Sequence, residues 1–159
     1  MGGGLQDGCV RIDATGEVVG PSTSGTEFMA LSFVRQAGYR EGAFTGTARL
    51  GVHRLWGQAF HVAFRFERGV LRAVHLSFCF DDPAAEKAWD HGVEMTRKRA
   101  HEDWCAERLG APLETVAGTE GGNPAEAMRA RAFPWGLVRS VYDGKGGAAS
   151  LQLVYGPGT

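Results

Sequence analysis

Three histidines, His53, His61 and His75, are the residues of this chain whose type and spacing could do shared chemistry. With Glu67-Arg68-Gly69 as a turn, residues 61 and 75 lie directly opposite each other on two strands. With Leu55-Trp56-Gly57 as the preceding turn, His53 falls on the same face, near residue 59. Directly paired strand positions have Cβ atoms about 5 Å apart, so two imidazoles there could share a divalent metal or sense pH together. His61 and His75 are therefore the candidate metal ligands. The plainer reading is a polar sheet face carrying three unrelated histidines, because no carboxylate is evidently placed to complete a site. The candidate binding residues are His53, His61, Arg65 and His75, together with Trp56 and Trp135 at strand ends. An aromatic there either anchors a partner or caps the edge of the core.

Other motifs are weaker. His101-Glu102-Asp103-Trp104-Cys105 begins like a zinc-protease helix, but Cys105 stands where H-E-x-x-H needs its second His. His and Cys one turn apart can ligate a metal; Cys105 beside an apolar stripe is equally a packing residue. Gly144-Lys145-Gly146-Gly147 is no phosphate loop. Arg139 and Gly146 occupy the positions where Walker spacing requires Gly and Ser or Thr. Gly20-Pro21-Ser22-Thr23-Ser24 lacks the last Gly of a nucleophile elbow. Asp82 of the Asp81-Asp82 pair is explained by helix capping, and Arg97-Lys98-Arg99 by a solvated helix face among Glu94, Glu102 and Asp103. No cofactor fingerprint is present.

The elements that must position these residues start with a hairpin over Gln58 to Phe80. Phe60, Val62, Phe64 and Phe66, then Val70, Val74, Leu76, Phe78 and Phe80, alternate with smaller or polar residues about a short turn. Thr45 to Leu55 adds a preceding strand with Leu50 and Val52 on one face, making a meander. Asp82 and Pro83 are suited to open a long helix over 83–109, stopped by Gly110. Ala85, Trp89, Val93, Thr96, Ala100 and Trp104 form its apolar stripe, with Glu94, Lys98 and Glu102 paired on the wet side. Ser24 and Glu27 fit a capping box for a short helix burying Phe28 and Leu31, the alternative being a strand to Phe33. Asn123-Pro124 can open a short helix through Arg129, and Phe133 to Tyr142 with Ala149 to Tyr155 read as a closing hairpin over 133–155. Residues 1–8 read as disordered.

Composition bounds the rest. One domain over 1–159 is expected from 159 residues, large enough to fold without metal or disulfide support. Seventeen basic and 18 acidic residues give a net charge of −1 with no long run of one sign, which argues against nucleic acid as a partner. Cys9, Cys79 and Cys105 contain no C-x-x-C pair and read as unpaired thiols. No apolar run approaches the roughly 20 residues of a membrane span, and the first residues resemble neither a signal peptide nor a myristoylation site. A cytoplasmic setting is expected. The alternative is a periplasmic protein or lipoprotein, with Gly8-Cys9 as the remnant of a processing site.

Phe133-Pro134-Trp135-Gly136, Ser140, Tyr142-Asp143, Gly146-Gly147, Ser150 and Tyr155 together resemble the C-terminal hairpin of small uncharacterised bacterial proteins. Those proteins have a meander, a long helix and a closing hairpin, and some resemble immunity proteins paired with secreted toxins. The resemblance covers about a quarter of the chain and implies a fold and a protein partner (a toxin or a second copy), but no catalytic residue. The expected fold is α+β, two-layer, with a mainly antiparallel sheet of about five or six strands packed on one long helix. The leading functional reading is a non-enzymatic interaction protein. The alternatives are a small-ligand or metal-binding protein using the histidine face, and an enzyme whose site is not legible in the sequence.

Overall fold

The computed structural model describes residues 4–39, 45–81 and 89–156. Alternation builds its main sheet: strands β3 (Gly46–Leu55), β4 (Gln58–Glu67) and β5 (Val70–Phe78) form the expected meander. Strands β6 (Glu114–Thr115), β7 (Arg129–Phe133), β8 (Gly136–Asp143) and β9 (Ala148–Tyr155) complete it. The order is β3-β4-β5-β9-β8-β7-β6, seven strands, with antiparallel pairing throughout. The fold is α+β as expected. The strands beyond five or six arise because Arg129 begins a strand rather than ending a helix, and because the 111–123 loop contributes β6. A separate two-stranded sheet pairs β1 (Val10–Arg11) with β2 (Val18–Val19). Among the described residues no helix is long and apolar enough to cross a membrane.

Two turns set the register. Leu55 pairs with Gln58 and Glu67 with Val70, so each turn has two residues, not the three the pattern suggested. Trp56 and Gly57 have φ of 48° and 83°, and Arg68 and Gly69 have φ of 52° and 77°. Left-handed values at both central positions match the twist of antiparallel strands. Asp13 steadies the first turn by accepting the Trp56 and Gly57 amides at 3.0 and 2.7 Å. Register shifts between Arg49 and Gly51, and between Arg65 and Phe66, then move each ladder by one residue. The first separates Leu50, which is buried, from Val52, which is 53% exposed; they do not share a face.

Short helices α1 (Gly25–Ala30) and α2 (Ser32–Gln36) cover one end of the inner sheet face. The Ser24–Glu27 capping box forms, and Phe28 packs on Phe64 and Phe66 with centroids 4.9 and 4.8 Å away. Residues 4–8 are ordered, contrary to expectation. Leu5 is buried, the Tyr155 hydroxyl donates to Gly8 O at 2.6 Å, and the Trp135 indole donates to Gln6 O at 2.8 Å. Gly8, with φ 75°, lies against the Trp135 ring where a Cβ would approach to 2.6 Å.

Helix α3 runs over His91–Leu109, capped by Asp90 and ended by left-handed Gly110. The expected start at Asp82-Pro83 lies outside the described residues, but Trp89 and Asp90 are not helical. The expected apolar stripe is overturned. Trp89 is 66% exposed, with its indole N–H on Gly147 O, and Thr96 is exposed; of the described stripe only Trp104 is buried. The face that meets the sheet is Glu94, Arg97, Lys98, His101, Trp104 and Cys105. Arg97 and Lys98 are therefore not a solvated run.

The reason lies in the sheet. Pairing of β5 with β9 stops at Leu76–Leu151, so Phe78 and Ala149, two steps further, do not pair. Their backbone groups need partners, since a buried unsatisfied amide or carbonyl is costly. Helix α3 supplies them. Glu94 Oε1 accepts the Ala149 amide at 3.0 Å, His101 Nε2 accepts the Phe78 amide at 2.9 Å, and Arg97 Nη1 donates to Phe78 O. Lys98 donates to Glu102, whose Oε2 also accepts the Ser140 hydroxyl at 2.8 Å.

Removing Glu94 leaves both the Ala149 amide and the Arg97 guanidinium short of a partner. Glu94→Ala should therefore cost about 2–4 kcal/mol in urea unfolding, whereas exposed Glu107→Ala should stay within about 0.5 kcal/mol. Equal effects would contradict the seam.

Candidate binding face

The contacts of α1, α2 and α3 all reach inward-facing residues of the sheet: Phe64 and Phe66, then Phe60, Ser140 and Ala149. The outward positions of the same strands form rows fixed by register. One row crosses all seven strands: Arg49, Ala63, His75, Gln152, Arg139, Ala130 and Glu114. The neighbouring row reads Thr47, Arg65, Ala73, Val154, Leu137 and Ala132. With strands about 4.8 Å apart, Arg49, Arg65, His75 and Arg139 occupy one central patch over small alanines. Arg139 is held flat along the sheet by its Nε donating to Gln152 Oε1 at 2.8 Å.

This patch is electropositive. Among the described residues no carboxylate forms an ion pair with Arg49, Arg65 or Arg139. Half-burial pushes the His75 pKa below its ordinary value, and the charges of Arg65, Arg139 and Arg49 lower it further. Burial, then Arg65, likewise lowers that of Arg139. The site thus holds like charges that a bound anion would relieve.

The structure brings together Arg65 and His75 from the sequence-predicted set. His61 shares their face but stands opposite Ser77, while His75 stands opposite Ala63; the two-residue turn together with the bulged, unpaired Arg72 makes the two histidines diagonal rather than paired. Diagonal neighbours lie about 7–8 Å apart. Among the described residues no group of three or more His, Cys, Asp or Glu is placed to hold a metal ion. His53 leaves the face altogether. The two-residue turn at Trp56-Gly57 pairs it with Phe60 on the inner side, where its ring meets Phe33 at 5.4 Å and Nε2 contacts Leu50 O at 3.0 Å. Trp56 and Trp135 are half-buried core edges: Trp56 packs on Trp104 at 5.7 Å, and Trp135 stacks on Phe133 at 5.3 Å. Arg49, Arg139 and Gln152 were missed. Arg139 and Gln152 carry the outward parity of their strands, a signal available in the closing hairpin; Arg49 stands opposite Ala63 already in the register that puts His53 near residue 59, so its outward parity was available too.

His101 and Cys105 form no open site. Both are fully buried, and burial followed by Glu102 pushes the Cys105 thiol up to about 12. His101 accepts the Phe78 amide on Nε2, which places its proton on Nδ1. Burial, then the charges of Arg97 and Lys98, press its pKa down to about 3.

Comparison with known proteins finds no matching family model, no matching curated protein and no matching solved structure.

A histidine depressed in the folded state binds protons better when unfolded. Its share of stability is whole above the ordinary value near 6.5 and is lost as pH falls from there toward 3. His101→Gln, whose amide oxygen can still accept from Phe78, should cost about 1–3 kcal/mol at pH 7.5. Its unfolding free energy should also fall less steeply than the wild type's between about pH 6.5 and 4. Parallel slopes in denaturant titrations would refute the assignment.

Proposed function

We propose that this chain is a non-enzymatic binding protein that holds an acidic protein partner on the outer face of its sheet, in the manner of an immunity-type protein blocking its target. The observation that carries this reading is the patch of Arg49, Arg65, His75 and Arg139, in which, among the described residues, no arginine is ion-paired to a carboxylate. The whole chain has a net charge of −1, so the positive charge is segregated rather than general. Arginine forks suit carboxylates, and a broad sheet floor of Ala63, Ala73 and Ala130 suits an extended contact more than an enclosed reaction. The near-neutral total charge favours a protein over nucleic acid, whose binding domains carry a general basic excess. Arginines around His75 also oppose a metal cation there.

The test is capture of a partner from native lysate by the wild type and by Arg65→Glu/Arg139→Glu, with Lys145→Glu as control. A partner should be retained by wild type and control, released by raised salt, and bound at least about a hundredfold more weakly by the double variant. Absence of any stoichiometric partner, or a partner held equally by the double variant, would overturn the proposal.

A further inference from the structure

A cleft of about 780 Å³ lies on the other side of the molecule, between α3 and the segment leading into β7. Met95 and Ala106 of α3 line it together with Pro112 and Leu113. Arg99, Glu102 and Asp103 of α3 and Arg129 of β7 supply charge. Its volume falls in the range of small-molecule sites, and its lining is about as polar as it is apolar, with Glu102 held in place by Lys98 and Ser140.

Glu102 is the fixed group. Its Oε2 is occupied by Lys98 and by Ser140 at 2.8 Å, and the side chain is only 17% exposed. Its Oε1 faces Arg129 Nε at 3.8 Å, beyond hydrogen-bond length, and that arginine is 42% exposed. A carboxylate oxygen and a guanidinium therefore stand side by side as a loose ion pair without a hydrogen bond. Arg99 and Asp103, one helical turn apart, also line the cleft.

We propose that this cleft binds an α-amino acid with a large apolar side chain. Its ammonium would meet Glu102 Oε1 and Asp103, its carboxylate Arg129 and Arg99, and its side chain Ala106 and Leu113. The charges of an α-amino acid sit on one carbon, matching opposite charges one ion-pair distance apart. A peptide separates its termini by roughly 3.3 Å more per residue, which this arrangement does not match.

The probe is L-phenylalanine, titrated into the ¹⁵N-labelled chain, with L-phenylalaninamide and 3-phenylpropanoate as single-charge analogues. Saturable shifts are expected at residues 95–106, 113 and 129, with each analogue bound at least about tenfold more weakly. Arg99→Gln/Asp103→Asn, two surface changes, should weaken binding roughly tenfold with the spectrum otherwise preserved. Ala106→Trp should abolish it by filling the cleft. No saturable shift up to about 20 mM, analogues within about twofold of phenylalanine, or unchanged binding in Arg99→Gln/Asp103→Asn would each overturn the proposal.

Discussion

The gap in the ladder between β5 and β9 is the constraint from which the rest of this structure follows. Beyond Leu76 and Leu151 the two strands part, leaving backbone groups of Phe78 and Ala149 in the interior. Water cannot serve them there, so side chains must. Glu94, Arg97 and His101 do so from a single face of α3, and a helix that reaches three backbone groups has little freedom in rotation or register. The buried charges add little net stability, because taking them out of water costs about what their pairing returns. They specify position. The apolar gain comes from Trp104 on Phe60, centroids 4.9 Å apart, and from the phenylalanine cluster under α1 and α2.

Seating α3 inward by its charged side leaves two surfaces with chemistry to offer. The outer sheet face keeps Arg49, Arg65 and Arg139, none of them ion-paired among the described residues. The flank of α3 keeps Arg99, Glu102 and Asp103 beside Arg129. The two surfaces belong to opposite layers and share no residue. Lys98 and Ser140 link the seam to the cleft through Glu102, so the buried network both locks the helix and sets the other carboxylate oxygen beside Arg129.

The meander was legible because Phe60, Val62, Phe64 and Phe66 alternate without interruption, and period two has one structural meaning over that length. The capping box at Ser24 was legible for the same local reason. What failed was register and tertiary context. Turns of two residues rather than three bring His53 inward, and the second turn with the bulged Arg72 sets His61 and His75 diagonally, while the Leu50 bulge carries its own local sign in Gly51, whose φ is 78°. The buried side of α3 was misread because an apolar stripe is the usual way to seat a helix. Only the open ladder, a tertiary feature, makes Glu94, Arg97 and Lys98 the inward residues. Arg65 and His75 were identified in advance as facing outward, but their setting among Arg49 and Arg139 required the order β3-β4-β5-β9-β8.

The most direct measurement is native-state hydrogen exchange at the Phe78 and Ala149 amides. Neither amide has a ladder partner across the β5–β9 gap, so protection there depends on His101 and Glu94. The account predicts exchange as slow as that of core amides such as Val74 and Leu153, limited by global unfolding. Exchange at the rate of exposed loop amides would mean that α3 does not close the gap, and the polar seam would not be what places the helix.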